Sequence, residues 1–433
     1  MDGGKHFDSV KWNDLREINS DCPAPLGFRG DTDIVVPRAI FAPGGYQHAY
    51  ATALYASGWD LLPRIVVVVR TGASGRFDEA TIQCERIPEP ESVNVIDKTT
   101  AALTSTFDED ALWVAYQDGR TRKVGPDAPI AHNWLQKVRL SADGSLGQAE
   151  SPQMLQAPGE EGPAQTIWGD CTPQDADDMG RGNLYATATG TLYLAFSNNL
   201  GTKNYSCTNL ETRRIYVAKL NGANRFISCV DEYLTSECAN QGHIEESDAE
   251  MIVDPQTQKI AVVYAKPGFE TEPQASGRRI VLATSNLDGQ SWTKQLAYAG
   301  RAIDDDQSQP AIALTTFSDA IDRVLSGTIF ITWYQPAAGG RVKRYGRGFY
   351  RSGSGWRAVT GGLWASHDSF YPIGPGAPLS QTNRGVYEYQ GVAHAPGLLD
   401  GGGGWVGAWT QPSPASLANP SDSAYRIAYA SWL

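Results

Sequence analysis

One pattern returns along the chain and restricts its fold more than any other feature. An apolar strand, a loop, a second apolar strand and a tight turn follow one another again and again. The first strands read Arg64-Ile-Val-Val-Val-Val-Arg70, Ala111-Leu-Trp-Val-Ala-Tyr116, Thr191-Leu-Tyr-Leu-Ala-Phe196, Lys259-Ile-Ala-Val-Val-Tyr264, Thr328-Ile-Phe-Ile-Thr-Trp333 and Gly404-Trp-Val-Gly-Ala-Trp409. Their partners read Leu135-Gln-Lys-Val-Arg-Leu140, Arg214-Ile-Tyr-Val-Ala-Lys219, Arg279-Ile-Val-Leu-Ala-Thr284, Arg344-Tyr-Gly-Arg-Gly-Phe-Tyr350 and Tyr425-Arg-Ile-Ala-Tyr-Ala430. In the first unit the partner is the less regular stretch 77–84. Units recur roughly every 50 to 80 residues. They are rich in β-branched and aromatic residues and bounded by turn residues. A strand-only repeat of this length predicts propeller blades of four strands each. Composition agrees: 45 Gly, 19 Tyr and 12 Trp with only 19% charged residues suit strands and turns. They do not suit a helical bundle or a disordered chain.

The ends of the chain bear on the blade count. The last unit offers strands at 385–393, 404–410 and 424–432, one short of a full blade. The stretch Asp33-Ile-Val-Val-Pro-Arg-Ala-Ile-Phe41 offers a spare strand. Donated to the last blade, it would close the ring and remove two exposed edges. The expectation is an all-β, six-bladed β-propeller over residues 31–433, with the N-terminal strand closing the last blade and residues 1–30 as an extension. Seven blades is the alternative, if 156–181 or 355–385 holds further strands.

The turn after each second strand is the sharpest local signal. It reads Ser141-Ala-Asp-Gly144, Asn221-Gly-Ala-Asn224, Ser285-Asn-Leu-Asp-Gly289 and Ser352-Gly-Ser-Gly355, with Trp following at Trp292 and Trp356. Asp-Gly and Asn-Gly supply the positive φ a tight hairpin needs. Ser285-Asn-Leu-Asp-Gly-Gln-Ser-Trp292 resembles the Asp-box (BNR repeat) of sialidases and their propeller relatives, Ser-x-Asp-x-Gly-x-Thr-Trp, with the Asp one place late at Asp288. The resemblance implies a sialidase-like propeller. The box is a folding element of an outer hairpin, not a catalytic one.

In a propeller the innermost strands begin at one face, and a site belongs at that funnel. The residues preceding the expected innermost strands are Gln47 and His48, Asp97, then Asp175, Asp177 and Asp178. Further on come Glu245, Glu246 and Asp248, then Asp304, Asp305 and Asp306, and last His367, Asp368 and Tyr371. Asp suits strand starts in any protein. Carboxylates gathered in a funnel also raise one another's pKa, as a general acid requires, or hold Ca²⁺. Loops expected at the same face carry Arg120, Arg122, His132, Asn204, Tyr205, Lys266, Tyr334, Gln335, Arg341, Trp409 and Gln411. Arg holds carboxylates through paired hydrogen bonds, and aromatic faces stack on sugars.

Several chemistries fall away. The six histidines lack HxH or HExxH spacing, which argues against a zinc hydrolase. No GxSxG elbow occurs, and no phosphate-binding glycine motif stands between a strand and a helix. The sialidase resemblance implies three arginines on a substrate carboxylate, a Tyr/Glu nucleophile pair and an Asp acid. The Arg-Ile-Pro letters of that family's first strand occur here at Arg86-Ile87-Pro88, after the first unit, while Val36-Pro-Arg-Ala-Ile40 holds the corresponding place. Propeller lyases of uronic-acid polysaccharides use His, Tyr and Arg, parts open to His48, His132, Tyr205 and Arg122.

The expected function is therefore cleavage of a glycosidic bond in an acidic glycan, by a glycoside hydrolase or a polysaccharide lyase. A hydrolase needs two carboxyls about 5 to 9 Å apart. Asp306 and Asp368 are the candidates, with Glu246 third. His48, His367, Arg122, Tyr205, Tyr371 and Trp409 would bind substrate. No cofactor is required; Ca²⁺ is the metal that Asp304 and Asp178 would hold. The other class is a non-catalytic lectin or adhesion propeller, and a purely structural interaction propeller is a third. Loops that differ between units, at 118–134, 198–211 and 266–277, favour one asymmetric site.

Net charge is −12, with 36 basic and 48 acidic residues, which opposes a nucleic-acid partner. No apolar run approaches the roughly 18 residues of a membrane helix. The partner expected is a poly- or oligosaccharide, and a monomer is expected. Cys22, Cys84, Cys171, Cys207, Cys229 and Cys238 are even in number and form no CxxC pair. They read as disulfides of a secreted or periplasmic protein. Sequence proximity pairs them as Cys22–Cys84, Cys171–Cys207 and Cys229–Cys238. Residues 1–6 resemble no leader, so export would mean one already removed.

Overall fold

The computed structural model describes residues 33–35, 48–55, 65–71, 83–87, 96–106, 109–118, 130–162, 165–167, 169, 171, 177–187, 189–198, 211–220, 226–235, 249–268, 277–298, 307–315, 327–337, 341–353, 355–365, 390–399, 402–412 and 425–432. Among them every regular element is a strand. The strands form six sheets in chain order. The first holds β1 (Asp33–Val35), β2 (Tyr50–Tyr55), β3 (Ile65–Arg70) and β4 (Gln83–Ile87). The second holds β5 (Ile96–Ser105), β6 (Asp110–Asp118), β7 (Asn133–Leu140) and β8 (Leu146–Ala149), with β9 (Gln153–Met154) also paired to β7. The third is built from β10 (Gln165–Ile167), β11 (Met179–Ala186), β12 (Leu192–Asn198), β13 (Glu211–Lys219) and β14 (Phe226–Thr235), in the order β10-β14-β13-β12-β11.

The fourth sheet holds β15 (Glu250–Asp254), β16 (Lys259–Pro267), β17 (Arg278–Asn286) and β18 (Thr293–Leu296). The fifth holds β19 (Ser308–Leu314), β20 (Ile329–Ala337), β21 (Arg341–Ser352) and β22 (Gly355–Ala365). The sixth holds β23 (Gln390–Leu399), β24 (Gly402–Pro412) and β25 (Tyr425–Trp432). Successive sheets touch through their leading strands, β1 with β5, β5 with β11, β11 with β15, β15 with β19 and β19 with β23.

Each inner sheet is covered on both faces, which explains why its strands read as continuous apolar runs rather than as polar–apolar alternation. Side chains still alternate between two cores. On β16, Ile260, Val262 and Tyr264 enter the core shared with the third sheet, while Ala261, Val263 and Ala265 enter the core shared with the fifth. On β12, Leu192, Leu194 and Phe196 face the second sheet, and Tyr193 and Ala195 face the fourth. The first and second sheets share a further core around Val66, Val68, Leu112 and Val114. Shifting one of these strands by a residue would exchange its two sets of side chains, so register is fixed from both sides.

The turn in residues 285–292 makes a dock between sheets. Gly289 adopts φ 63° and its N–H donates to Asn286 O at 3.1 Å. Ser228 of β14 donates to Gly289 O, and Trp292 Nε1 donates to Ser228 Oγ at 3.0 Å. The late Asp288 takes the N–H of Gln290 at 3.1 Å.

Two expectations are corrected. The strand at Asp33–Val35 does not join the last sheet. It pairs antiparallel with β2, Asp33 opposite Thr52 and Val35 opposite Tyr50, and so completes the first sheet. Asp33 then reaches onward, its Oδ2 accepting from Ala101 N at 2.8 Å and from Thr100 Oγ1 at 3.2 Å. Pairing with a strand close by in sequence closes a shorter loop than pairing across the chain. Residues 36–41 of the expected strand lie outside the described residues.

The second correction is a disulfide. Cys171 is bonded to Cys229, 58 residues away, so neither Cys171–Cys207 nor Cys229–Cys238 forms. The cause is topological. The segment leaving the second sheet lays β10 parallel to β14, Gln165 opposite Phe226 and Ile167 opposite Ser228, which delivers Cys171 beside Cys229. Gly169, at φ 49°, sits where an added Cβ would lie 2.6 Å from Cys229 O. Cys84 is also disulfide-bonded; Cys22, its expected partner, lies outside the described residues.

Candidate functional site

The two ends of the sheets differ in chemistry. One end is where β5, β7, β11, β13, β15 and β17 begin, and it gathers most of the buried charge. Asp118, His132, Asp177, Asp178, Arg213, Arg214, Asp231, Arg278, Arg279 and Arg344 are all buried toward it. At the other end Asp254 and Arg70 are the buried charges among the described residues. Burying charge is costly unless it is paired, so a concentration at one end calls for partners.

Arg214, in the first half of β13, supplies the first set. Its Nη1 donates to both Asp177 oxygens, at 3.1 and 2.9 Å, and its Nε donates to Glu232 Oε2 at 2.6 Å. Tyr216, two residues along the same face, donates its hydroxyl to Asp177 Oδ2 at 2.6 Å. Burial alone would lower the Arg214 pKa, but the hydrogen bonds it donates to Glu232 and Asp177 carry it above the ordinary value. The Tyr216 hydroxyl is pushed up by burial and then by the Asp177 charge. It stays protonated, a donor only to its carboxylate. The Nη2 of Arg214 is buried and makes no hydrogen bond among the described residues.

Asp231 centres the second set, between the third and fourth sheets. It accepts from Tyr264 Oη at 2.7 Å, Lys266 Nζ at 2.9 Å and Lys294 Nζ at 2.7 Å. Burial works to raise its pKa, yet the two lysines hold the carboxyl below the ordinary 3.8. In the fifth sheet Arg344 lies over the Tyr334 ring, 4.6 Å from its centroid, and donates to Gln309 O at 2.9 Å and Thr332 Oγ1 at 2.5 Å. Burial pushes the Arg344 pKa down to about 10, so the guanidinium remains cationic at neutral pH.

Arg214 and Arg279 occupy corresponding places, each two residues before the partner of a core aromatic, Tyr216 opposite Phe196 and Val281 opposite Tyr264. Arg344, one residue before Tyr345, the partner of Trp333, sits at the same end on the other face of its strand. Arg279 stands opposite Lys266 and Arg344 opposite Tyr334 across the ladder, and Arg214 N donates to Asn198 Oδ1 at 2.8 Å. In the sequence all three arginines stand at strand heads, and that recurrence was the signal available for them.

His132, just before β7, makes a further pair. Its Nε2 lies 3.1 Å from Glu160 Oε2, and Glu160 Oε2 also accepts from Ala157 N at 3.0 Å. Beside it, Asp178 Oδ1 accepts from Ala131 N at 2.7 Å, which ties the start of β11 to the start of β7. Asp177 N donates to Pro158 O at 2.9 Å. Among the described residues no group of three or more His, Cys, Asp or Glu is arranged to hold a metal ion.

The sequence candidates are distributed as follows. Asp178 is buried at the charged end. His48 stands at the opposite end, because it precedes β2, the second strand of its sheet, and not an innermost strand. There its Nδ1 is 3.0 Å from Thr71 O and its Nε2 is 3.2 Å from Arg70 Nη1. Its neighbour Tyr50 donates to Gly144 O in the β7–β8 hairpin at 2.8 Å, which marks that end. Trp409 lies in β24, opposite Gln390 and Ala428. Asp306, Asp368, Glu246, His367, Arg122, Tyr205, Tyr371 and Asp304 lie outside the described residues.

No protein-family model and no curated protein matches the chain. Solved structures do match it. A Trypanosoma rangeli sialidase mutant displaying trans-sialidase activity is similar at 10% identity and TM-score 0.46, over 94% of this chain and 54% of that one. Penicillium chrysogenum alpha-L-arabinanase complexed with arabinobiose is similar at 13% identity and TM-score 0.40, over 89% and 94%. A B. megaterium levansucrase mutant is similar at 13% identity and TM-score 0.40, over 83% and 91%. The chain thus spans about half the length of the sialidase.

Proposed function

We propose that this chain is an exported carbohydrate-active enzyme that cleaves a glycosidic bond of an acidic glycan. In this reading the six sheets are the blades of one propeller. The observation that carries the proposal is the recurrence of Arg214 and Arg279 at one repeat position of two successive sheets, with Arg344 buried at the same end of the next. Arginines brought to one end in a low-dielectric setting form a receptor for carboxylate groups, which they bind through paired hydrogen bonds. Buried tyrosine hydroxyls and amides around them offer the short polar contacts a sugar ring needs.

Bond cleavage in this reading belongs to Asp306 and Asp368, one protonating the leaving oxygen and the other attacking the anomeric carbon or activating water. Glu246 is the third candidate. The Cys171–Cys229 bond supports an oxidising compartment, secreted or periplasmic. The test is a panel of acidic and neutral polysaccharides, scored for new reducing ends and for the ultraviolet absorbance of unsaturated uronates. Reducing ends without that absorbance support a hydrolase, and both together a lyase. Binding without either product moves the chain to the lectins. Neither binding nor products over the panel overturns the proposal.

A further inference from the structure

Beyond the arginines, the charged end holds a histidine with one nitrogen committed and one not. His132 is 5% exposed. Its Nε2 meets Glu160, at 3.1 Å from Oε2 and 3.4 Å from Oε1. A carboxylate can only accept, so the nitrogen facing it carries the proton. Glu160 is itself fixed by Ala157 N and by Gln156, whose Nε2 donates to Glu160 O at 2.6 Å. In its neutral form the ring is held as the Nε2–H tautomer, and Nδ1 is left with a lone pair. That Nδ1 is buried and has no hydrogen-bond partner among the described residues.

An unmet buried acceptor costs about 1–3 kcal/mol. It is retained at low cost where a ligand supplies the donor. The surroundings limit what that ligand is. The 177–179 segment is laced to residues 131–133 by Ala131 N to Asp178 Oδ1 and by Asn133 Nδ2 to Gly180 O, at 2.7 and 2.9 Å. These bonds commit two donors of the segment that carries His132. A third, Gln117 Nε2, is spent on Met179 O at 2.8 Å. None of the described residues supplies the missing donor, and a neutral O–H from a ligand fits it where Asp178 and Asp118 add negative charge nearby.

We infer that His132 is a ligand-binding residue whose Nδ1 accepts a hydroxyl of a sugar, and that Glu160 is the positioning residue that sets its tautomer. The inference rests on the carbohydrate reading above, which supplies the hydroxyl. It adds a contact that the arginines cannot make, since they only donate.

Two variants separate the ring's nitrogens. His132→Gln places its amide where Nε2 stands, keeping a donor for Glu160 and losing the Nδ1 acceptor. His132→Asn places an amide oxygen where Nδ1 stands and gives up Glu160. The experiment is nitrogen-15 NMR of the histidine rings at neutral pH, with the His132→Gln spectrum assigning the signal. Affinity is then measured for the glycan of the panel that the parent binds. The expected result is the Nε2–H tautomer, an Nδ1 signal that shifts when the glycan is added, and at least tenfold weaker binding by His132→Gln at unchanged melting temperature. His132→Asn should recover much of the lost affinity. An Nδ1–H tautomer overturns the inference, as does a parent that binds glycan while His132→Gln binds equally well; the carbohydrate reading survives both. A parent that binds no glycan of the panel fails that reading and takes the hydroxyl ligand with it.

Discussion

Arg214 grips both oxygens of Asp177, at 3.1 and 2.9 Å, with each side chain no more than 6% exposed. Asp177 is the second residue before β11, and Arg214 lies in the first half of β13 in the same sheet. The pair therefore fixes how the chain re-enters the sheet after laying β10 along its outer edge. Removing one member of a buried pair costs about 3–5 kcal/mol, because the other is left charged and unmet. Asp177→Ala should lose that much in urea denaturation. Glu232→Gln should lose less, since the Glu232 side chain is 22% exposed and water reaches it. Equal losses, or none, would sink this reading of the pair.

Asp231 makes stability depend on acid. Its pKa lies below the ordinary 3.8 when folded, held there by Lys266 and Lys294 against the opposing effect of burial. A depressed carboxyl contributes stability that is complete above the unfolded pKa and is lost as pH falls through the folded one. Unfolding free energy should therefore drop from about pH 4 downward. In Asp231→Asn the curve should start lower and fall less steeply over that range. Parallel acid limbs in parent and variant would remove Asp231 from the account.

The Cys171–Cys229 bond closes a loop of 58 residues. A cross-link of that span is worth about 3–4 kcal/mol by chain entropy. Unreduced proteolysis should yield a peptide pair joining Cys171 to Cys229 and none joining Cys171 to Cys207. The double variant Cys171→Ser, Cys229→Ser should melt lower by several degrees. A Cys171–Cys207 peptide would contradict the path drawn for β10.

Asp33 tests the first sheet. Its Oδ2 is the acceptor for the backbone N–H of Ala101 at 2.8 Å. Asp33→Ala strands that donor and should cost about 1–3 kcal/mol. A variant as stable as the parent would mean that the N-terminal strand is not seated where β1 lies.

The repeat made the strands legible because a sheet covered on both sides writes itself as an unbroken apolar run. Ile260–Ala265 is recognisable for that reason. The Asp288-Gly289 turn is legible because a positive φ selects its residue. What stayed hidden was relative placement. Nothing local in Gln165–Ile167 reveals a parallel partner 60 residues on, so the cysteines were paired by proximity. The short β1 preceding His48 turned the first unit by one strand, which sent His48 to the other end from Asp178. Arg214 was visible as a letter at a strand head, but its carboxylates come from Asp177 and Glu232, which only the folded sheet brings to it.

The central claim is that one end of these sheets recognises the carboxylates of a glycan. The direct measurement is turnover of an acidic polysaccharide beside the same polymer after its carboxyls have been reduced to alcohols. The two differ only in the group that Arg214, Arg279 and Arg344 are proposed to bind. A charge-assisted contact is worth about 1.5–3 kcal/mol, so losing it should lower kcat/KM by about tenfold to a hundredfold. Equal kcat/KM on the two polymers, or turnover of the neutral one alone, would contradict the claim.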